Sequence, residues 1–302
     1  MKNLLLILLC LPVIGFGQNV YIPDANFKAY LVGSTSPSGI NTNGDNEIQV
    51  SEAAAYAGTL DCNGLSISDL TGLEAFTSII KLWCDDNQLT SLDVSANTAL
   101  ETLNCYDNQL TSLDVSQNTA LEALWCWENQ LTSLDVSQNP DLWHLACFDN
   151  QITSLDLSQN LNIHELSCFD NQITSLDVSQ ITTLTYVQCQ NNQLTYLNVA
   201  NGNYLMMPTP VSFNATNNPN LSCIDVDDVA WSTANWTVSD GHIDAQQYFS
   251  DNCLGTSIEE YNSIKQLLKV TDLLGREVNH TTNQILFHIY DDGSVEKKFV
   301  VE

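Results

Sequence analysis

Hydrophobic and polar positions between residues 60 and 200 follow one pattern that returns every 21 residues. One copy reads LETLNCYDNQLTSLDVSQNTA. Within this copy Leu103 and Cys105 alternate with Asn104 and Tyr106. This alternation predicts a strand with Leu and Cys pointing inward and the other two side chains pointing outward. Copies stacked in register would form a parallel sheet over a column of Leu and Cys side chains.

A second extended segment, TSLDV, ends each copy and predicts an opposite wall, with Leu113 and Val115 pointing inward. Because 21 residues leave little room for a helix, the predicted fold class is a β-rich solenoid with a parallel β-sheet. An asparagine column is expected to satisfy backbone groups where the chain leaves the strand. Its members are Asn87, Asn108, Asn129, Asn150, Asn171 and Asn192.

The unit L-x-x-L-x-C-x-x-N-x-L-T-S-L-D-V-S-x-N resembles leucine-rich repeats, with Cys where the third Leu of the strand usually stands. We therefore predict leucine-rich repeats of 21 residues over 61–200. A small helical N-terminal cap is predicted over 18–60 and a C-terminal cap over 201–254, because the ends of a solenoid lack one neighbour.

Six cysteines recur at the same position of the repeat. Neighbouring strands lie about 4.8 Å apart, whereas a disulfide needs Cβ atoms about 3.5–4.5 Å apart that face each other. Parallel side chains on one face meet neither condition well, so we expect these cysteines to pack as small buried hydrophobes rather than to pair or bind metal. They are Cys84, Cys105, Cys126, Cys147, Cys168 and Cys189. Beyond the repeats, Cys223 and Cys253 are predicted to form a disulfide that closes the C-terminal cap.

The segment IPDANFKAYLVG predicts a short helix with Asp24 near its start and Gly33 at its end. This segment resembles the opening of internalin-like leucine-rich-repeat proteins. The resemblance implies a small helical cap over the first coil.

The segment NTNGDNEIQVSE resembles a calcium loop of the EF-hand or dockerin kind, although Asn46 stands where Gly is expected. The alternative is a polar turn leading into a helix over SEAAAY, with Ser51 as its cap. The resemblance implies Ca²⁺ as a cofactor, held by Asn41, Asn43, Asp45, the Glu47 carbonyl and Glu52.

Outward positions of the predicted strand carry aromatic and acidic side chains on the predicted concave face. Exposed aromatic rings supply contact area for partners, although stacked rings also stabilise a sheet as neighbours. In the column of Tyr106, Asp85 comes first and Gln190 last, and both are expected to point outward. The candidate ligand-binding residues are Trp83, Tyr106, Trp125, Trp127, Trp143, Phe148, Phe169, Asp107, Glu128, Asp149 and Asp170.

A second acidic column lies within the TSLDV segment, with serines alongside. Carboxylates about 5 Å apart repel one another, so we expect hydrogen bonds within each coil or bound calcium to offset the repulsion. The first of these explanations is favoured. The column contains Asp93, Asp114, Asp135, Asp156 and Asp177.

The formal net charge is −28, from 8 basic and 36 acidic residues, and no Lys or Arg occurs between residues 82 and 264. Such a field repels phosphate backbones, which argues against nucleic acid as a partner. The N-terminus, MKNLLLILLCLPVIGFGQ, predicts a secretory signal peptide over 1–17. No transmembrane segment is predicted for the mature chain.

After a predicted linker over 255–264, the composition changes and a small β-domain is predicted over 265–302. Its segments DLLGREV, IYDDGSVEKK and FVVE resemble the C-terminal sorting domain of the Bacteroidetes type IX secretion system. The resemblance implies the type IX secretion machinery as a partner. It also implies a protein that is secreted or attached to the outer surface.

The motifs of nucleophilic, nucleotide-dependent and zinc-dependent catalysis are missing from the sequence, and we predict that the protein is not an enzyme. The predicted function is recognition of an extracellular protein or glycan by the aromatic and acidic concave face. The alternatives are a calcium-stabilised structural or matrix protein and an accessory module of a glycan-degrading system.

Overall fold

The computed structural model describes residues 17–33, 39–207, 209, 212–253, 267–271, 276–278, 284–290 and 295–300. The predicted linker and, apart from residue 17, the predicted signal peptide lie outside these residues. The chain divides into two compact units, Met1–Cys253 and Leu254–Glu302.

Short strands of two or three residues build the described part of the first unit. They are β1 (Thr59–Asp61), β2 (Lys81–Trp83), β3 (Thr102–Asn104), β4 (Ala123–Trp125), β5 (His144–Ala146), β6 (Glu165–Ser167), β7 (Ser175–Asp177), β8 (Tyr186–Gln188), β9 (Tyr196–Asn198), β10 (Phe213–Asn214), β11 (Cys223–Asp225) and β12 (Tyr248–Ser250).

Two parallel sheets form the walls of the solenoid. The described strands of the main sheet run in the order β1-β2-β3-β4-β5-β6-β8-β10, and Leu103 pairs with Leu82 on one side and Leu124 on the other. The opposite wall contains β12, β11, β9 and β7, which pair in that order, and β7 lies in a TSLDV segment. Leu113 and Val115 are buried there, as predicted. The structure thus confirms the predicted β-rich solenoid.

The cysteine column lies inside the solenoid. Its members in the described part of the chain are free and buried, which confirms the predicted packing role. Burial raises the pKa of Cys147 to about 12, so the thiol stays protonated and apolar. Cys62 extends the column by one coil at the start and Ala215 by one coil at the end, neither of which the strict 21-residue spacing predicts.

The predicted asparagine column joins each coil to the one before it. The side-chain amide of Asn129 donates to the carbonyls of Cys105 at 3.0 Å, Cys126 at 3.2 Å and Trp127 at 3.3 Å. Its Oδ1 accepts the backbone N–H of Leu110 at 2.9 Å. Each such side chain therefore satisfies backbone groups of two coils and fixes their register.

A second buried asparagine column lies at the other bend of the coil, where the sequence analysis assigns no role. The amide of Asn118 donates to the carbonyls of Val94 at 3.0 Å and Asn97 at 2.9 Å, both in the preceding coil. In the sequence, this column is visible as the last Asn of each repeat unit. Fully buried members are Asn97, Asn118, Asn139 and Asn160.

Two helices cover the first coil. Helix α1 (Ala25–Val32) begins after Asp24, whose carboxylate accepts the N–H groups of Asn26 and Phe27, and the C-cap residue is Gly33, as predicted. Helix α2 (Val50–Ala55) begins after Gln49, not at the predicted cap Ser51. Glu52 explains this difference, because its carboxylate accepts the backbone N–H of Gln49 at 3.0 Å and completes a capping box.

The parallel sheet continues past residue 200, where the sequence analysis predicts only a cap. β10 pairs with β8 although the repeat motif is lost, because backbone hydrogen bonding needs register and not a fixed sequence. Helix α3 (Val229–Asn235) leads to Trp236, whose ring is buried and stacks on Phe213 with centroids 4.2 Å apart. The disulfide between Cys223 and Cys253 is present as predicted.

The second unit contains a small antiparallel sheet, which confirms the predicted β-domain as a fold. Its strands are β13 (Leu267–Thr271), β14 (Gln284–Tyr290) and β15 (Val295–Val300). No helix in the described ranges has both the length and the apolar character needed to cross a bilayer.

Replacing Asn129 with Ala leaves its carbonyl partners and the N–H of Leu110 without a side-chain partner. We expect the free energy of unfolding to fall by about 2–4 kcal/mol, measured by urea denaturation. The neighbouring Gln130 is exposed, and Gln130→Ala is expected to change stability by less than about 0.5 kcal/mol. Equal effects of the two substitutions would contradict the proposed role of the asparagine column.

Candidate binding surface

Four aromatic rings stack on one another along the outer face of the main sheet. Each stands two residues after the end of a strand, one ring per coil. The centroid distances are 3.9 Å for Tyr106 and Trp127, 4.9 Å for Trp127 and Phe148, and 4.2 Å for Phe148 and Phe169. We call these four residues the aromatic strip.

The rings of the aromatic strip are nearly parallel, with interplanar angles of 9° to 11°. Each inner ring face of the strip is therefore covered by the neighbouring ring. All four side chains are half-buried, and the parallel stack directs their edges toward solvent. The strip consequently offers ring edges to a partner, while only the outermost faces are not covered by another ring of the strip.

The start of the strip differs from the prediction, because Asp85 is buried and does not point freely outward. Its carboxylate accepts a hydrogen bond from the amide of Asn104 at 2.8 Å and another from the hydroxyl of Tyr106. Burial raises the pKa of Asp85, and the bond with Tyr106 only partly opposes the shift. Asp85 therefore anchors the first ring and has little surface exposed.

An acidic row follows directly after the ring position in each coil. Its backbone is left-handed, with φ between 49° and 52°. Asp and Asn tolerate this conformation better than most residues, and Asn191 and Asn217 occupy the same position in later coils. Backbone conformation therefore explains part of the acidic pattern, a cause that the sequence analysis misses. We call the acidic members the carboxylate row: Asp86, Asp107, Glu128, Asp149 and Asp170.

Like charges in the carboxylate row affect one another. Partial burial raises the pKa of Glu128, and the charges of Asp107 and Asp149 raise it further. The pKa of Tyr106 is raised by burial, by its bond to Asp85 and by nearby charges that include Asp107. The row therefore lies close to the first ring of the aromatic strip.

A second group of side chains lies on β4, β5 and β6 of the same face. The rings of Trp125 and His144 meet edge to face at 5.5 Å, and Nδ1 of His144 lies 3.5 Å from a carboxylate oxygen of Glu165. Trp143 is 41% exposed beside them. Trp83 stands apart from this group, because Asn104 occupies the intervening strand between Trp83 and Trp125.

The acidic column of the opposite wall is held within its own coils. Oδ1 of Asp114 accepts the backbone N–H of Ser116 at 2.9 Å, and the same contact recurs in the neighbouring coils. These hydrogen bonds lower the pKa of Asp114. This arrangement matches the favoured explanation, in which local bonds offset the repulsion.

Four of the five predicted calcium ligands, Asn41, Asn43, Asp45 and Glu47, lie in one loop, and the fifth, Glu52, lies in helix α2. Their hydrogen bonds hold the loop backbone. Oδ1 of Asn41 accepts the N–H of Gly44 at 2.9 Å, and Oδ1 of Asp45 accepts that of Glu47 at 2.7 Å. Other bonds join Asn43 to Asp45, Glu47 to Lys28, and Glu52 to Thr42. Within the described residues, no group of three His, Cys, Asp or Glu side chains is arranged to hold a metal ion. Calcium binding by the loop, which relies on Asn oxygens, stays a prediction.

Comparison with known proteins finds similarity to leucine-rich-repeat proteins, although no protein-family model matches the sequence. Internalin J of Listeria monocytogenes serotype 4b is 34% identical over 80 residues. The matched segment covers 26% of this chain and only 8% of Internalin J.

Three solved structures are also similar. A domain of InlJ from Listeria monocytogenes, described as including a cysteine ladder, is 29% identical over 77% of this chain and 60% of that one, with a TM-score of 0.44. A Leptospira interrogans leucine-rich-repeat protein is 21% identical over 64% and 54% of the two chains, with a TM-score of 0.46. Internalin C2 of Listeria monocytogenes is 20% identical over 68% and 93%, with a TM-score of 0.44.

Glu128 has a longer side chain than the other members of the carboxylate row and suits a left-handed backbone least. We expect Glu128→Asn to raise the free energy of unfolding by about 0.5–1 kcal/mol, measured by urea denaturation. Glu122 is exposed as well but has an ordinary backbone conformation, so Glu122→Asn serves as the control. A loss of stability in Glu128→Asn would contradict the conformational explanation.

Acid should weaken the N-terminal cap through Glu52. Burial alone would raise the pKa of Glu52, but hydrogen bonds from Thr42, Gln49 and Asn43 outweigh it and lower the pKa below its ordinary 4.5. Ionised Glu52 therefore stabilises the fold above about pH 4.5, and this contribution is lost as the pH falls through the folded-state pKa.

We expect the Tm difference between the natural protein and Glu52→Gln to be largest near pH 7 and to shrink below about pH 4. Glu101→Gln changes an exposed carboxylate and is the matched control. A difference that stays constant from pH 7 to pH 3 would show that the charge of Glu52 is not what stabilises the cap.

Proposed function

We propose that this protein binds an extracellular protein through the aromatic strip and the carboxylate row. The observation that carries the proposal is the continuous stack of four half-buried rings, with a carboxylate one residue after each ring that is exposed in three coils and half-buried at Asp170. Rigid rings supply contact area at little entropic cost, and they are enriched in the energetic centres of interfaces.

Protein is favoured over glycan because of how the rings are oriented. Sugar rings pack on exposed aromatic faces. In the aromatic strip, the inner ring faces already contact one another in three stacked pairs and are not available to a sugar. Ring edges instead suit the mixed apolar and polar side chains of a protein surface. The same argument weighs against an accessory role in a glycan-degrading system.

The group formed by Trp125, Trp143, His144 and Glu165 extends the proposed surface. Trp143 offers an exposed indole beside a polar pair, the combination that interface centres often have. We include these residues at the edge of the binding surface. Trp83 lies too far along the sheet to share a contact with Trp125.

The proposed role is binding without catalysis. The surface repeats one ring position and one carboxylate position in each coil, which supplies contact area and charge rather than a nucleophile held against its base.

A calcium-stabilised matrix protein remains the second candidate, because of the sequence of the N-terminal loop. The opposite acidic column gives it less support, because Asp114 and its counterparts already bind their own backbone.

Export to the cell surface or the medium is part of the proposal. It is supported by the apolar N-terminal run and by the resemblance of residues 265–302 to type IX sorting domains. We propose that the second unit, with its antiparallel sheet of β13, β14 and β15, serves as the sorting module.

The double variant Trp127→Ala with Phe148→Ala removes the middle of the aromatic strip. On an array of extracellular proteins and glycans, we expect its signals for protein ligands to fall at least about tenfold below those of the natural protein. The control variant Ser112→Ala with Ser133→Ala changes exposed residues in the TSLDV segments of the opposite wall and should keep its signals. Equal signals from the natural protein and the strip variant, or binding to glycans alone, would contradict the proposal.

A further inference from the structure

We propose that the partner's epitope is basic, with Lys or Arg side chains that lie across the aromatic strip and reach the carboxylate row. This inference rests on the proposed function, because it names the chemistry of the partner that the same surface takes. It concerns the described face between β2 and β8.

The charge of this face points to a cation. No Lys or Arg occurs between residues 82 and 264, so every fully charged side chain of the coils in this range is acidic. Asp107, Glu128 and Asp149 are exposed, and the pKa of Glu128 is raised in part by its two neighbours in the row. Cations from a partner would relieve this repulsion, whereas an anionic partner would increase it.

The spacing of rings and carboxylates requires long side chains from the partner. Each carboxylate follows its ring by one residue, as Asp107 follows Tyr106, and the arrangement repeats about every 4.8 Å along the sheet. A side chain that crosses a ring edge to the row needs an apolar stem and a charged end. Lys and Arg have this construction, since their methylene stems pack on apolar surface while the head stays polar.

The covered ring faces decide how such cations bind. A guanidinium or ammonium group is attracted to the face of a ring, but the faces between Trp127 and Phe148, and between Phe148 and Phe169, are occupied. The charged head must therefore be held by the carboxylates, and the rings contact the stem. Binding should consequently depend on the row for charge and on the strip for contact area.

The probe for this proposal is a fluorescein-labelled octalysine peptide, and binding is followed by fluorescence anisotropy at ~150 mM salt, where charges further apart than about 8 Å are largely screened. The row variant combines Asp107→Asn, Glu128→Gln, Asp149→Asn and Asp170→Asn. The control variant removes four charges from the opposite wall by Asp114→Asn, Asp135→Asn, Asp156→Asn and Asp177→Asn. Asn tolerates the left-handed turns of the row and can still accept the serine N–H groups in the control.

We expect the row variant to bind octalysine at least about tenfold more weakly than the natural protein, and the control less than about threefold more weakly. The strip variant Trp127→Ala with Phe148→Ala should also weaken binding, because the lysine stems lose their contact. Equal losses in the row and control variants would show that only total charge matters and would overturn the proposal. Failure of octalysine to bind the natural protein would overturn it as well.

The two proposals fail separately. A protein partner that loses affinity for the strip variant but binds the row variant normally would overturn the basic epitope and leave the proposed function standing. A partner that binds the strip variant as tightly as the natural protein would overturn the proposed function itself. Thermal unfolding of each variant, compared with the natural protein, shows that the losses do not come from unfolding.

Discussion

The hydrogen bonds that join consecutive coils are the constraint on which the rest of the structure depends. Backbone pairing keeps Leu103 between Leu82 and Leu124, and the amide of Asn129 reaches carbonyls in two coils. Any residue type that recurs every 21 positions is therefore placed directly beside its own copy. The fold therefore arranges the repeated residues in columns. Within each column, identical or similar side chains must be stable in close contact with one another.

The columns meet this requirement in different ways. Thiols lie inside as neutral, small side chains, which the raised pKa of Cys147 keeps protonated. Rings stack face to face outside. Carboxylates of the opposite wall bind their own backbone, as Asp114 does. The carboxylate row adjoining the rings also repeats charge, and the charges of Asp107 and Asp149 help to raise the pKa of Glu128.

The sequence predicts what depends on period and polarity, and it does not predict what depends on side-chain and backbone torsions. The alternation of Leu103 and Cys105 was enough to place the core and the ring positions. Ring stacking depends on side-chain rotamers, which the pattern of hydrophobic and polar residues does not predict. The bond between buried Asp85 and Tyr106 joins residues of two different coils. β10 pairs with β8 although the repeat motif is lost, because backbone hydrogen bonds do not require a particular side chain.

The most direct test of this account is the accessibility of the columns to alkylation in the native protein, mapped by mass spectrometry. Cys105, Cys126 and Cys147 should stay unmodified, because they are fully buried. The thiol introduced by Phe148→Cys should be modified at the rate of an exposed thiol, because it lies in the outward column. Alkylation of the natural column at that same rate would show that the coils are not stacked in this register, and the binding surface would not exist.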